Sequence, residues 1–256
     1  MTIIRSIAMS LSMFSKLPMP QLNWEKANMR YLLAALPIVG VFIGLLLWLW
    51  SLLCSRLNFG NTLYAAGLML IPIAFTGGIH LDGFCDTVDA LASRAAPERK
   101  REILKDPRCG AFAVIWTTVY VLSYFALCVE YSTFQSSALQ IVIQLSAIAV
   151  MGRAAGAFAS VAFPSSGAGD LLDTFRDPAG KASAVILVVW FIAGSFFAPF
   201  GAIAILLCSA YVRVMSKRQF GGMSGDIAGY LIAIGEIFAI AATLAFQRLG
   251  GFIWFL

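Results

Sequence analysis

Apolar residues along this chain gather into runs at about 32–55, 61–79, 110–129, 138–161, 182–212 and 227–247, separated by short polar segments. A helix needs roughly 20 such residues to cross a bilayer core. The run 182–212 is too long for one ordinary crossing, because as continuous helix it would reach about 46 Å. Gly194, Pro199 and Gly201 interrupt it, which predicts two short helices laid end to end. The pattern predicts an all-α, polytopic membrane bundle of about seven transmembrane helices, with 1–256 as a single domain.

Charge placement orients the bundle. Arg5, Lys16, Lys26 and Arg30 precede the first crossing, and Arg94, Arg99, Lys100, Arg101, Lys105 and Arg108 follow the second. Two crossings put both groups on one side, the cytoplasmic side by the positive-inside rule. The connection Glu130–Ser137 lacks Lys and Arg and belongs outside. Arg213, Lys217 and Arg218 return inside only if 182–212 crosses twice. Residues 1–30, with a short apolar stretch to Phe14 and no persuasive cleavage site, read as an interfacial segment. Phe252, Trp254 and Phe255 read as an aromatic anchor at the outer interface.

Composition agrees with the pattern. The chain is 60% hydrophobic and 12% charged with a mean hydropathy of +0.86, against about 25% charged in a soluble domain. The net charge of +5 sits in short segments between apolar runs, as in loops that meet anionic headgroups, so the lipid bilayer and not nucleic acid is the expected partner. Five scattered cysteines without CxxC spacing read as apolar fillers.

The candidate chemistry lies just past the second run. Gly77-Gly78-Ile79-His80-Leu81-Asp82-Gly83-Phe84-Cys85-Asp86-Thr87-Val88-Asp89 holds the only histidine and three aspartates. On a helix, Asp82, Asp86 and Asp89 stand at i, i+4 and i+7, within a sector of roughly 60°. Three converging carboxylates suit a hard cation such as Mg²⁺, whose remaining ligands come from water and phosphate. The alternative reading is a solvated face or capping cluster. His80 is placed either to bond a backbone carbonyl or to act directly.

Asp106-Pro107-Arg108-Cys109-Gly110 is a compact turn before a helix. It offers a fourth acid and an Arg suited to grip a phosphate, while most of the surrounding basic belt reads as headgroup-facing. Gly221-Gly222-Met223-Ser224-Gly225-Asp226 opens the last helix. It either presents N–H groups to an anion or simply caps that helix. Glu236 and Arg153 are charges inside apolar runs and therefore expect a partner, each other among the options. Asp170, Asp173, Arg176 and Asp177 read as a solvated connection, with contact to a bulky polar substrate the other option.

Taken together, these elements resemble the adenosylcobinamide-GDP ribazoletransferase, or cobalamin synthase, family. The segment from Gly77 to Asp89 is similar to its GG-hydrophobic-HLDG-xx-D-xx-D signature, Glu102–Gly110 to its EIM-basic-D-S-R-x-G segment, and Phe220–Asp226 with Glu236 to its GG-x-TGD…E segment. Phe14–Pro18, Pro37 with Gly40 and Gly44, and Arg153 add weaker similarities in matching order. Ala90, Pro107, Ser224 and Ala233 stand where the family usually has Gly, Ser, Thr and Glu. The last of these puts in doubt the polar lining of the final crossing.

The resemblance implies a Mg²⁺-dependent multi-pass enzyme of the bacterial inner membrane, working at the cytoplasmic face. Its substrates would be adenosylcobinamide-GDP and α-ribazole or its 5′-phosphate, and GMP would leave. An oligomer is compatible with this class. The resemblance implies Asp82 and Asp86 as metal ligands, Asp89 as a third ligand or the base, and Asp106 and Arg108 as further catalytic groups. His80, Lys105, Arg153, Gly221, Gly222 and Asp226 are then expected to contact substrate. Two rivals are weaker. A CDP-alcohol phosphotransferase would need Asp-x-x-Asp-Gly and a later Asp pair, and Gly83 instead follows the first acid of the cluster. An ion transporter would spread its acids along a pathway rather than at one edge.

Overall fold

A computed structural model describes residues 2–20, 29–134, 137–167 and 171–250, without the side chains of Thr2, Phe134, 171–173 and 177–179. The expected anchor at Phe252, Trp254 and Phe255 lies outside the described residues, as do Lys26, Asp170 and the side chains of Asp173 and Asp177. The helices are α1 (Thr2–Phe14), α2 (Leu36–Leu57), α3 (Asn61–Thr76), α4 (Ile79–Ala92), α5 (Pro97–Ile103), α6 (Ala111–Phe134), α7 (Ala138–Ala162), α8 (Leu171–Ser195), α9 (Pro199–Phe220) and α10 (Gly225–Arg248). Among the described residues, the only extended pairing is an isolated parallel bridge between Ser165 and Met223.

Local sequence explains where these helices stop and start. Pro37 and Pro199 sit in the first turns of α2 and α9, where a missing N–H costs nothing. Ser137 and Ser224 cap α7 and α10, their side chains accepting from the N–H groups of Gln140 and Ile227, each at 3.3 Å. The long run 182–212 breaks between Ser195 and Pro199, as its Gly and Pro content predicts. A second break falls at Gly180, with φ 59°, inside α8.

α7 and α10 are the centre, each with 78% of its span buried. α2, α8 and α9 pack around α7, and α4 and α9 pack around α10. The outer helices turn Trp48, Leu52, Ile115, Val189 and Leu206 outward. So much exposed apolar surface calls for lipid, and the chain is a multi-pass helical membrane protein.

Five helices (α2, α6, α7, α9 and α10) are long and apolar enough to cross on their own, and the count becomes six if α3 and α4 together make one broken span. The expected seven is not reached on length. α3 and the Gly180–Ser195 part of α8 have 16 residues each, about 24 Å of helix against a core of about 30 Å. The run 61–79 is cut short because Gly77 and Gly78 take φ of 64° and 79°. They turn α4 by 89° from α3. With three acids in 14 residues, α4 is not itself among the helices apolar enough to cross alone.

Candidate active site

The elbow at Gly77–Gly78 is held from the N-terminal side. The backbone N–H of Lys16 donates to the Phe75 carbonyl at 2.8 Å, and its side chain lies over Gly77. This contact gives the Phe14–Pro18 stretch its structural role, because it brings Phe14 beside His80 with ring centroids 6.2 Å apart.

Because Ile79–Ala92 is helical, Asp82, Asp86 and Asp89 share one face of α4 as their spacing predicts. The backbone of α4 meets α10 at Gly83, where a Cβ would fall 2.6 Å from the Asp226 carbonyl oxygen. This close approach adds a fourth acid, from the first turn of α10. Burial first, then the charges of Asp82, Asp226 and Asp89, push the Asp86 carboxyl up to about 6. The Asp89 carboxylate lies against Gly110, where a Cβ would come within 2.2 Å of Oδ1. Among the described residues, no three His, Cys, Asp or Glu side chains are drawn tightly enough together to enclose an ion. The acidic face is a set of mutually repelling neighbours, not a closed cage.

Two predictions follow from this packing. Gly83→Ala is expected to cost about 1–3 kcal/mol and to lower activity as well, since α4 and α10 must separate to admit the methyl group. Thermal unfolding and turnover measured on one preparation check both. Asp86→Asn is expected to stabilise the cation-free protein. A folded-state value raised above the ordinary 3.8 means the ionised carboxylate opposes folding above about pH 6, and that the cost disappears as pH falls toward 4. The gain at pH 7–8 is about 1 kcal/mol, allowing for screening at a half-buried group, with none at pH 4. Melting curves at the two pH values read it directly.

His80 is buried, and its Nε2 has no partner among the described residues. Burial, then the charge of Arg153, holds its imidazole well below the ordinary range, so it is neutral. Arg153 itself is not at the acidic face. It is 1% exposed, and its Nη1 donates to Glu236 Oε1 at 2.6 Å and to the Ala149 carbonyl at 2.9 Å. The structure therefore gives the expected substrate contact a different place, a buried ion pair joining α7 to α10. A small cavity touches Arg153, Glu236 and His80, so the pair lies just behind the site.

Other expected contact residues lie in local pairs or on the exposed surface. Arg108 Nε and Nη2 donate to the two carboxylate oxygens of Asp106 at 2.9 and 2.7 Å. The fork closes on its own turn and does not reach into the acidic face. That hydrogen bonding holds the Asp106 carboxyl down at about 2. Lys105 is exposed on the same segment. Gly221 caps α9 with φ 81°, the Gly222 N–H donates to the Ser216 carbonyl at 3.1 Å, and the Met223 N–H donates to the Pro164 carbonyl at 2.7 Å. Those N–H groups join chain segments to one another rather than facing an anion. All five cysteines are free, as expected.

Sequence reasoning missed two features. A cleft of about 590 Å³ is lined by Arg94, Lys100 and Arg218, with Lys100 buried and donating to Gln219 Oε1 at 2.5 Å. An apolar cavity adjoins Asp82 and Asp226 and takes in Phe14, Ser160 and Phe175 from three distant elements. No local pattern signals either one.

The acidic segment, the loop after α7 and the glycine-rich turn thus meet at one end of the bundle. The model of the cobalamin-5-phosphate synthase family matches residues 6–244. The chain belongs to this family. Among its relatives, the adenosylcobinamide-GDP ribazoletransferase of Lachnoclostridium phytofermentans is 36% identical over 94% of each chain. Proteins of the same name from Clostridium perfringens (strain SM101) and Listeria monocytogenes serotype 4a are each 33% identical, over 92% and 93% of this chain and 96% of each relative. No solved structure matches. The stretch matching the cobalamin-5-phosphate synthase family runs from α1 into the last turns of α10, so every element that builds the acidic face and its cavity lies within it.

Proposed function

We propose that this chain joins adenosylcobinamide-GDP to α-ribazole or its 5′-phosphate, forming adenosylcobalamin or its phosphate and releasing GMP. The observation that carries this reading is the face shared by Asp82, Asp86 and Asp89 with Asp226 beside it, in a member of this family. The donor set fits Mg²⁺. All the ligands are hard oxygens, and the carboxylate crowding that raises Asp86 is what a cation relieves. Mg²⁺ needs only one or two carboxylates when waters and phosphates complete its shell. One or two of Asp82, Asp86 and Asp226 would hold it, with water and phosphate completing its shell, and it would neutralise charge on the diphosphate.

The remaining chemistry belongs to the chain. A ribose hydroxyl oxygen forms the new bond to the cobinamide-linked phosphorus, the bond to the GMP oxygen breaks, and an Asp89 carboxylate oxygen takes the hydroxyl proton. Arg108, 88% exposed, gives up a weak surface pair with Asp106 when a phosphate arrives. The basic residues that flank this end of the bundle support a site facing the cytoplasm in a bacterial inner membrane.

Detergent-purified protein incubated with both substrates should release GMP with Mg²⁺ present and not with chelator. Release that is indifferent to Mg²⁺ would remove the metal from the proposal. Cation flux in proteoliposomes without either substrate would favour transport instead.

A further inference from the structure

The cavity beside the acidic face measures about 210 Å³ and lies between the end of α1, the first turn of α4, α7 and the opening turns of α10. Asp82 and Asp226 are in its wall, and most of the remaining surface is apolar or aromatic, contributed by Phe14, Ala157, Phe175 and Ile232. An apolar cavity of about 150 Å³ accommodates one benzene ring, so this one suits a fused pair of rings. It is far too small for a corrin, and guanine, another two-ring base present, carries polar edge atoms that the apolar wall would leave unpaired. Of the groups brought together in the proposed reaction, one matches in size and polarity: the two-ring benzimidazole base of the acceptor nucleoside.

We infer that this cavity receives the bicyclic base of the acceptor, which leaves the ribose beside Asp82 and Asp226. The inference rests on the function proposed above and adds where one substrate sits. One polar group in the wall can meet the ring's free nitrogen, which only accepts: buried His80 Nε2 has no partner among the described residues and, as an N–H, donates to it. Ser160 Oγ already donates to the Gly156 carbonyl at 2.9 Å and has no proton left for the ring. Beyond His80, the apolar wall penalises a base with many polar edge atoms, because each would be buried unpaired. A dimethylated benzimidazole is therefore favoured over a purine, and each ring methyl in such a pocket is worth about 10-fold or more.

The test measures binding apart from turnover. Affinity for α-ribazole is read from base fluorescence on detergent-purified protein without donor, in wild type, in Ala157→Leu, which fills the cavity, and in Phe175→Ala, which enlarges it. Melting temperatures confirm folding. Ala157→Leu is expected to weaken α-ribazole by at least about 10-fold while the KM for adenosylcobinamide-GDP stays within about twofold, a split that general loosening would not produce. Phe175→Ala is expected to favour a nucleoside with a three-ring base over α-ribazole, and this arm stands if Ala157→Leu does not fold. Unchanged α-ribazole affinity in folded Ala157→Leu, or no gain for the larger base in Phe175→Ala, overturns the inference while leaving the function intact. A bound phospholipid that α-ribazole fails to displace from the cavity overturns it too. A wild-type protein that binds neither α-ribazole nor its 5′-phosphate, with or without adenosylcobinamide-GDP, sinks the function itself.

Discussion

Asp82→Asn is expected to reduce GMP release by a factor on the order of 10²–10³ while leaving the fold intact. Asp82 is exposed on the first turn of α4, so exchanging its carboxylate for an amide removes no buried contact and should shift stability little. The loss falls on charge: an amide oxygen holds a divalent cation far more weakly than a carboxylate does. A second readout separates this from misfolding. Mg²⁺ should raise the melting temperature of the wild type by binding the folded state, and that rise should shrink sharply in Asp82→Asn. A folded Asp82→Asn protein that still shows Mg²⁺-dependent GMP release would remove Asp82 from the metal site.

The reason Asp82 can be singled out is that its helix was legible from spacing alone. Acids at i, i+4 and i+7 share a face on any α-helix, and Ile79–Ala92 is one. The split of the long run near Pro199 was legible for the same kind of local reason. The elbow before α4 was not. Apolar counting carried the second crossing to residue 79, but the positive φ of Gly77 and Gly78 ends it at Thr76. Hydropathy reports how much a residue prefers lipid, not which way the backbone turns.

Long-range pairings were legible only as needs. Arg153 and Glu236 had to find partners in an apolar setting, and they found each other. Arg108 looked free to reach a phosphate because nothing in the order of residues shows its fork closing on Asp106 two positions earlier. The cavity was hidden more completely. Phe14, Ala157 and Phe175 are ordinary apolar residues in three separate elements, and only the docking of Lys16 over the elbow and the packing of α7 on α10 bring them to Asp82.

The Arg153–Glu236 pair carries the largest expected effect on stability. Both side chains are almost wholly buried, at 2% and 9% exposure, so removing one partner strands a charge in a medium that solvates it poorly. Arg153→Met or Glu236→Leu alone should each cost about 3–5 kcal/mol. The double substitution should recover most of that loss, because an apolar pair of similar volume leaves no unpaired charge. If the pair only ties α7 to α10, the recovered protein should be nearly as active as wild type. The small cavity it shares with His80 argues for more. His80 lies in the first turn of the helix that bears the acids, and on this reading the pair positions α4 on α10 through it. The double variant is therefore expected to regain its melting temperature while kcat remains well below wild type and substrate KM changes little. A variant that regains stability and activity together would reduce the ion pair to scaffold. One that regains neither would mean that the charges are needed for the fold itself.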